Sequence, residues 1–338
     1  MFSNRLIFKT SLDDEVFYLK DTILVNFKHS RNGVSSSELN AGVHENYKSV
    51  FNQHLTQEKI DYLENHDVLE YLINECDSLN VDSRYSTGLI TLAQMNNVSI
   101  VTKSFKSVEV TAISTAGVRT NASRAGDTSS YWQENGEYHF GTINSIILIN
   151  VCLNEKALME AFMTATEAKT VALNNLRVPS QYSNGYATGT GTDGVCIFSN
   201  TDSKDLLTNA GKHSKLGELI GKAVIESVTK ATGKQVWITK NSQSNVLVRL
   251  NRYSLDINDF YDNLDCDKDY FIRCLQKEMK KQDNVAVTSS VLNLIDEVND
   301  NLIDKNEALA LANSLIKENC NSHPIKILLE YWINYFIR

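Results

Sequence analysis

The sequence of 338 residues lacks several features that mark common classes of protein. Lys and Arg total 33 against 41 Asp and Glu, and the net charge is −8 with neutral histidine. The chain therefore lacks the positive charge that attracts nucleic acids or anionic membranes. It also lacks a long apolar run and a basic leader followed by an apolar stretch. We expect a cytoplasmic protein with neither nucleic acid nor membrane as a partner.

Cysteine and histidine are sparse and scattered. The six cysteines form no CxxC pair, and the seven histidines form no HxH or HExxH pattern. Such spacing predicts neither a disulfide framework nor a metal site built by the protein. We therefore expect no metal and no other cofactor.

The texture of the chain changes near residue 245. Residues 1–245 alternate strand-like and helix-like runs, which predicts an α/β domain with a mixed sheet and packed helices. Residues 246–338 carry helix-like runs and no glycine, which predicts a C-terminal all-helical extension. This extension would pack on the first domain or on a second copy of the chain, so a homo-oligomer is compatible with the sequence.

Hydrophobic patterning predicts the individual elements. Strands are expected at Arg5–Lys9, Val16–Leu19, Thr22–Phe27, Val98–Lys103, Val108–Ile113, Thr142–Val151, Val195–Phe198 and Val236–Thr239. Helices are expected at Leu55–Leu79 with an interruption near Asn65–His66, Glu155–Leu176, Ser214–Ala231, Tyr270–Met279, Ser290–Val298, Asn306–Ile316 and Ile325–Phe336. Polar loops are expected at Ser30–Asn40 and Ser114–Asp127.

One stretch, Thr164–Gly221, concentrates small and polar residues. It contains the runs TATEAKTVAL (Thr164–Leu173), ATGTGTDG (Ala187–Gly194) and GKHSKLGELIG (Gly211–Gly221). Core segments show apolar residues at regular intervals, whereas glycine and threonine gather where a backbone bends or approaches another group closely. The stretch therefore indicates a functional site.

Two polar residues lie on the predicted helix Glu155–Leu176, beside a stripe of alanines that lets the helix approach the sheet. We expect Glu167 to be partly buried and to act as a general base or hydrogen-bond anchor. Lys169 would lie near it. The alternative is a solvated glutamate on the helix surface.

The next run, Thr188 to Asp193, alternates threonine with glycine. It lacks the Gly-Lys-Ser/Thr ending of a P-loop, so a phosphate cradle is poorly supported. The backbone N–H groups of Gly189–Thr192 could instead stabilise the oxyanion of an amide hydrolysis reaction. A turn between strands, capped by Asp193, would also explain the pattern.

His213 precedes the third helix, and Gly217 and Gly221 follow it on one edge of that helix. The glycines would leave room beside the imidazole, and a helix amino terminus favours its neutral form. His213 could then shuttle a proton, with Glu218 as a second carboxylate and Lys215 as an electrostatic clamp. A surface or capping histidine is the alternative.

The order of these motifs resembles the adenosylcobinamide amidohydrolases, the CbiZ-type enzymes of corrinoid salvage. The resemblance spans about residues 20 to 240 and rests on the three runs above together with NAGV (Asn40–Val43), TAGVRTNASRAGD (Thr115–Asp127) and GTIN (Gly141–Asn144). The sequence departs from the family pattern at Gly194, where a small hydroxylated residue is expected. The resemblance does not extend to the helical extension and implies nothing about its role.

The resemblance implies hydrolysis of the amide that joins aminopropanol to the corrin ring of adenosylcobinamide, which gives adenosylcobyric acid and aminopropanol in cobalamin biosynthesis. Cobalt enters only as part of this substrate. Neutral hydrogen-bonding groups suit its many amide arms. The substrate-binding candidates are Asn40, Asn121, Arg124, Asn144, Lys169, Thr188, Gly189, Gly191, Lys215 and Glu218.

Two catalytic schemes follow from the requirements of amide hydrolysis. In one, Glu167 or Asp193 activates water and His213 protonates the departing amine. In the other, Thr190 or Thr192 is the nucleophile, with His213 or Lys169 as its base. A non-catalytic corrinoid-binding or transfer protein and a nucleotide-dependent enzyme are the alternatives.

Overall fold

The computed structural model describes residues 5–129, 131–132, 135–136, 142–253, 257–262, 264 and 266–336. Gly141, the first residue of the GTIN block, lies outside the described residues. The chain divides into two compact units, Met1–Thr239 and Lys240–Arg338. In the described part of the chain, no helix has the length and apolar character needed to cross a membrane.

The first unit is built on a curled, mixed sheet of nine strands in the order β1-β2-β3-β14-β11-β7-β6, with β4 pairing β3 and β5. The pairs β11–β14 and β4–β5 are parallel, and the other pairs of this sheet are antiparallel. The strands are β1 (Arg5–Lys9), β2 (Glu15–Leu19), β3 (Thr22–Ser35), β4 (Gly42–His54), β5 (Ser86–Thr91), β6 (Ser99–Phe105), β7 (Val108–Ala116), β8 (Ala122–Ser123), β9 (Tyr131–Trp132), β10 (Asn135–Gly136), β11 (Ile143–Ile149), β12 (Cys152–Leu153), β13 (Gly189–Thr190), β14 (Gly194–Asn200) and β15 (Leu206–Leu207).

The helices confirm the predicted fold class, α/β with a C-terminal helical segment. Two long helices, α3 and α4, cover one face of the sheet, and α1 and α2 pack beyond β4 and β5. The helices are α1 (Gln57–Leu63), α2 (Val68–Ser78), α3 (Glu155–Asn175), α4 (Lys215–Val236), α5 (Val246–Leu250), α6 (Ile257–Asp262), α7 (Lys268–Glu278), α8 (Gln282–Asn299), α9 (Lys305–Asn319) and α10 (His323–Phe336).

The alanine stripe of α3 explains how this helix packs. All five alanines of the stripe are buried, and the Asn154 side chain caps the helix by accepting the Ala157 N–H at 2.9 Å. Beneath it, every residue of β11 is buried, as expected for a strand covered on both faces. These patterns were correctly predicted because apolar periodicity alone specifies them.

Several predicted elements are wrong or incomplete. The segment Ser30–Asn40 is not one loop, because β3 continues to Ser35 and buries Arg31 against Asp14. The predicted strand Val236–Thr239 is absent, since α4 runs to Val236 and ends at Trp237 in the left-handed region. The predicted helix Leu55–Leu79 is two helices, with the break close to the predicted interruption.

Strands β4 and β5 were missed because buried polar residues hide their alternation. Asn52 of β4 is buried and donates to Thr115 Oγ1 at 2.9 Å, and Gln53 donates to Thr22 Oγ1 at 3.2 Å. In β5, Gly88 is packed against the ring of Phe51. A sheet that satisfies polar groups internally does not show the simple pattern of a half-buried strand.

The second unit is helical and has its own core. Apolar residues of α7, α8, α9 and α10 form one buried cluster that includes Phe271, Val291 and Trp332. A partly buried polar contact supports it: Arg252 donates to Asp296 at 2.7 Å and Tyr253 donates to the same carboxylate at 2.6 Å.

We predict opposite effects for alanine at two glycines of α4. A Cβ atom on residue 217 would stand 2.2 Å from the Gly211 carbonyl oxygen, whereas one on residue 221 would meet nothing within 4 Å. Gly217→Ala should therefore lower the midpoint of thermal unfolding. Gly221→Ala should raise stability by up to about 1 kcal/mol through helix propensity. Equal shifts in calorimetry would contradict this packing.

Candidate functional site

Two loops meet at one end of the central strands, where β7 ends and β11 and β14 begin. We call this end of the strands the edge of the sheet. Ala116 pairs with Ile143, and Asn144 pairs with Gly194. Beyond this edge the short strands β8 and β13 pair with each other, which joins the loop after β7 to the loop before β14. The carboxyl-terminal half of α3 returns to the same edge, as the contacts of Lys169 and Thr170 show.

The centre of this edge is an ion pair between Lys169 and Asp193. Their side chains are 11% and 10% exposed. The Asp193 carboxylate also accepts the Thr190 N–H at 3.0 Å, the Thr190 hydroxyl at 2.6 Å and the Ile143 N–H at 3.0 Å. One carboxylate thus fastens α3, β11 and the loop Thr188–Asp193, which we call the Gly-Thr loop, to one another. We call Lys169, Thr190 and Asp193 the central cluster.

Gly189 is required by the central cluster. A Cβ atom on this residue would stand 2.3 Å from Asp193 Oδ2 and 2.7 Å from Lys169 Nζ. Any side chain would separate the ion pair, so the glycine serves a close approach of the backbone rather than a special backbone angle. The sequence signalled a close approach but not which group approaches.

Asn121 lies beside the central cluster against Gly191. It is buried, and its Oδ1 accepts the Tyr182 hydroxyl at 3.2 Å. A Cβ atom on residue 191 would stand 3.3 Å from the Asn121 amide. Asn121 therefore supports the backbone of the Gly-Thr loop. Tyr182, its partner, was not predicted because a single tyrosine in a loop carries no signal.

Further contacts fasten the two loops together. The Thr188 hydroxyl accepts the Ala125 N–H at 2.8 Å, and the Thr188 carbonyl accepts the Thr170 hydroxyl at 2.9 Å. Arg124 is exposed, and its side chain lies over Gly185, where a Cβ atom would stand 2.7 Å from Arg124 Cδ. Thr188 is thus engaged in the loop framework, while Arg124 borders solvent.

Asp127 is a second carboxylate in the same framework. Burial would raise the pKa of Asp127, but hydrogen bonds from Ser180 and Ser183, together with the Arg124 backbone, hold it below its ordinary value. Asp127 therefore stays ionised and anchors the loop after β7. It belongs to the TAGVRTNASRAGD block, although its role was not predicted.

Thr192 and Gly191 form the exposed part of the Gly-Thr loop. The Thr192 hydroxyl is hydrogen-bonded to that of Thr142. The Thr190 N–H already donates to Asp193, so it could stabilise an oxyanion only by leaving that carboxylate. The Thr190 N–H is therefore removed from the oxyanion donors predicted at Gly189–Thr192.

Asn144 faces away from α3. It is 1% exposed, and its amide donates to Asn52 Oδ1 at 2.8 Å and to the Ile90 carbonyl at 3.0 Å. Its packing explains the departure at Gly194, because a Cβ atom there would stand 2.7 Å from Asn144 Oδ1. In this chain the position after TGTD has no room for a hydroxylated side chain.

Asn40 serves the turn between β3 and β4. Its φ of 52° lies in the left-handed region that asparagine tolerates. Its side chain donates to the carbonyls of Ser83 and Ser86 at 2.8 and 2.7 Å. These bonds occupy the amide hydrogens that a ligand would need.

The expectation that Glu167 is partly buried is wrong. Its side chain is 47% exposed and pairs with Lys212 at 2.6 Å. The alanine stripe buries the neighbouring residue Ala168, but Glu167 lies one position away on the helix and shares the solvent side with Met163. The alternative reading, a solvated surface glutamate, describes its position.

His213, Lys215 and Glu218 are not brought to the central cluster by any contact among the described residues. Lys215 lies over the ring of Phe105 at 4.7 Å, beside the start of β7. The central cluster lies at the other end of β7, a strand of nine residues that spans about 26 Å. Hydrogen bonds from Lys215 and Lys222 lower the pKa of Glu218 to about 2, so it is an ionised surface carboxylate.

The space predicted beside His213 is absent at Gly217, although Gly221 has nothing within 4 Å. His213 is exposed, and the close neighbour of Gly217 is the backbone of Ala210 and Gly211. The first helical glycine therefore allows a loop to pack on α4 and leaves no ligand cavity under the imidazole. Among the residues that the structure describes, no three His, Cys, Asp or Glu side chains are grouped to hold a metal ion.

Comparison with known proteins identifies the family. A family model named "CbiZ: Adenosylcobinamide amidohydrolase" matches residues 8–240. The chain belongs to the adenosylcobinamide amidohydrolase family. The predicted resemblance is thus confirmed, and membership implies a hydrolase with a corrinoid substrate.

Individual relatives say less than the family. "Uncharacterized protein MJ1613" of Methanocaldococcus jannaschii is 31% identical over 228 residues, which cover 63% of this chain and 86% of that protein. The crystal structure of the PH0078 protein from Pyrococcus horikoshii OT3 covers 69% of this chain and 84% of its own, with 13% identity and a TM-score of 0.34. That structure is too distant to indicate a shared function.

We predict a strong stability effect at the central cluster. Asp193→Asn should lower the free energy of unfolding by about 3–5 kcal/mol, because it leaves the buried Lys169 ammonium without a counter-charge. Adding Lys169→Met should recover part of the loss. The exposed pair provides the control: Lys215→Met should change stability by less than about 0.5 kcal/mol. Urea unfolding that shows equal effects at both pairs would contradict the role given to Asp193.

Proposed function

We propose that this protein hydrolyses the amide bond between aminopropanol and the corrin side chain of adenosylcobinamide, giving adenosylcobyric acid and aminopropanol. The observation that carries the proposal is the family match, which extends over residues 8–240 and so includes the whole central cluster. Family members share the chemistry that their motifs serve, and three of the motifs here, TAGVRTNASRAGD, TATEAKTVAL and ATGTGTDG, meet at one edge of the sheet.

The geometry favours a threonine nucleophile, Thr190, over water activated by Glu167. The Thr190 hydroxyl already donates to Asp193 Oδ1 at 2.6 Å, so its proton can move along an existing hydrogen bond as its oxygen attacks the amide carbonyl. A water molecule would first have to displace one of the four donors on that carboxylate. Glu167 lies in solvent beside Lys212.

Lys169 is the cation of the central cluster. A buried ammonium beside the attacked carbonyl can stabilise the oxyanion, and it can then protonate the departing amine. The Thr190–acyl bond forms as the carbon–nitrogen bond breaks, and the proton taken by Asp193 replaces the one that Lys169 gives. Water then hydrolyses the ester, which releases the carboxylate and restores the Thr190 hydroxyl.

The remaining residues would hold the substrate or the loops that surround the central cluster. Arg124, Gly191 and Thr192 border solvent at the same edge and can meet the amide arms of the corrinoid. Lys215 and Glu218 have no part in this scheme because their contacts lie elsewhere. The exposed His213 has none because no contact among the described residues joins it to the central cluster. Asp193 is the base that takes the Thr190 proton, and it also holds Thr190 and Lys169 in position.

Incubation with adenosylcobinamide, followed by mass spectrometry, tests the proposal. The wild-type protein should yield a corrinoid carboxylate and free aminopropanol in equal amounts. Thr190→Val and Lys169→Met should each lower kcat/KM by about a thousandfold or more, because each removes a group that acts on the reacting atoms. Thr190→Ser should retain part of the activity. It should also accumulate an acyl-enzyme that is heavier than the free protein by the mass of the corrinoid acyl group.

Two variants of exposed residues are the controls. Glu167→Gln and His213→Ala should keep kcat/KM within about threefold of wild type. If Thr190→Val kept full activity while Lys169→Met lost it, the nucleophile would be water and not threonine. Tight binding with unchanged substrate in every preparation would overturn the proposal and favour a corrinoid-binding or transfer protein.

A further inference from the structure

An open concave site lies in the first unit, away from the central cluster. It is a cavity of about 530 Å³ between the β1–β2 hairpin and the segment that leads into β6. This volume lies within the range of small-molecule sites. None of the residues that line it belongs to the central cluster or to the two loops around it.

One wall is a single face of the hairpin. Arg5 pairs with Tyr18 across β1 and β2, and the guanidinium lies 5.8 Å from the centre of the tyrosine ring. Lys20 follows Tyr18 by two residues and sits in the tight turn with a φ of 45°. Tyr18 and Lys20 both line the cavity.

The opposite wall consists of Met95, Asn96 and Val98 and is firmly held. Met95 is buried, so exposed Asn96 and half-buried Val98 present the accessible surface. Helix α4 fixes this segment through three hydrogen bonds: Gln235 accepts the Gln94 N–H at 3.1 Å and the Asn97 amide at 2.7 Å, and Lys234 donates to the Val98 carbonyl at 2.7 Å. A wall held in this way costs little ordering when a ligand binds.

The charged side chains in the described lining of the cavity are all positive. The cavity is lined by Arg5 and Lys20 and by no acidic residue, and neither cation forms an ion pair with any residue in the described ranges. On the same hairpin, Lys9 is paired with Asp13 at 3.3 Å. The described lining of the cavity is therefore positive in a protein whose net charge is −8.

We propose that this cavity binds a small organic anion with a flat aromatic body. The ring would lie between Tyr18 and Val98, where aromatic and aliphatic contacts are available. Its phosphate or carboxylate would lie between Arg5 and Lys20, which can donate charge-assisted hydrogen bonds. The site is independent of the proposed hydrolysis, and its occupant differs from the cationic corrinoid in charge.

Titration calorimetry with 1-naphthyl phosphate tests this site on the full chain at low salt. Arg5→Gln and Lys20→Asn should each weaken binding about tenfold, which corresponds to the loss of one charge-assisted contact. Asparagine suits the left-handed turn at residue 20. Neutral 1-naphthol and inorganic phosphate should each bind at least tenfold more weakly than the combined probe.

Lys48→Gln is the matched control, because Lys48 lies over the ring of Tyr85 at 4.8 Å outside the cavity. It should leave the affinity unchanged. The proposal is overturned if wild-type protein gives no binding at millimolar probe, if the Arg5→Gln/Lys20→Asn double variant binds as tightly as wild type, or if 1-naphthol binds equally well.

Discussion

The buried ion pair between Lys169 and Asp193 is the interaction on which the candidate site depends. It joins a helix to a loop at the edge of the sheet, and the same carboxylate accepts a backbone N–H of β11 and two groups of Thr190. A buried charge without a partner is costly, so the pair fixes the positions of all these elements together. The Gly-Thr loop can then be both polar and well defined.

The glycines around this pair have separate steric reasons. Gly189 makes room for the ion pair, Gly191 for Asn121 and Gly194 for Asn144. None of these three has a positive φ. A loop that alternates glycine with threonine thus brings hydroxyl groups to the site while its backbone lies directly against buried polar side chains. A phosphate cradle is not needed to explain the pattern.

The sequence predicted the elements whose apolar residues recur regularly. The stripes of α3 and α4, the buried strand β11 and the long C-terminal helices follow from periodicity. Strands β4 and β5 do not, because their buried polar residues are satisfied by partners distant in sequence. The same limit applied to the site: Asp193 and Lys169 were recognised, but Ile143 and Tyr182 contribute through contacts that no local pattern reveals.

Glu167 and His213 show a different limit. Both lie in motifs rich in small residues, and a motif alone does not determine which side of a helix meets solvent. Glu167 lies one position from a buried alanine and is nevertheless exposed. His213 precedes Gly217, and the space beside this glycine is filled by the backbone of a loop and not by a ligand. Burial and contact, not composition, separate these residues from the central cluster.

The central claim is that Lys169 and Asp193 act as one unit in amide hydrolysis. A double-mutant cycle in kcat/KM for adenosylcobinamide tests it most directly, with Lys169→Met, Asp193→Asn and the double variant measured under the same conditions. Groups that act as a unit are strongly non-additive, so the double variant should be about as active as the weaker single variant. Losses that simply multiply, or single variants with near wild-type turnover, would contradict the account.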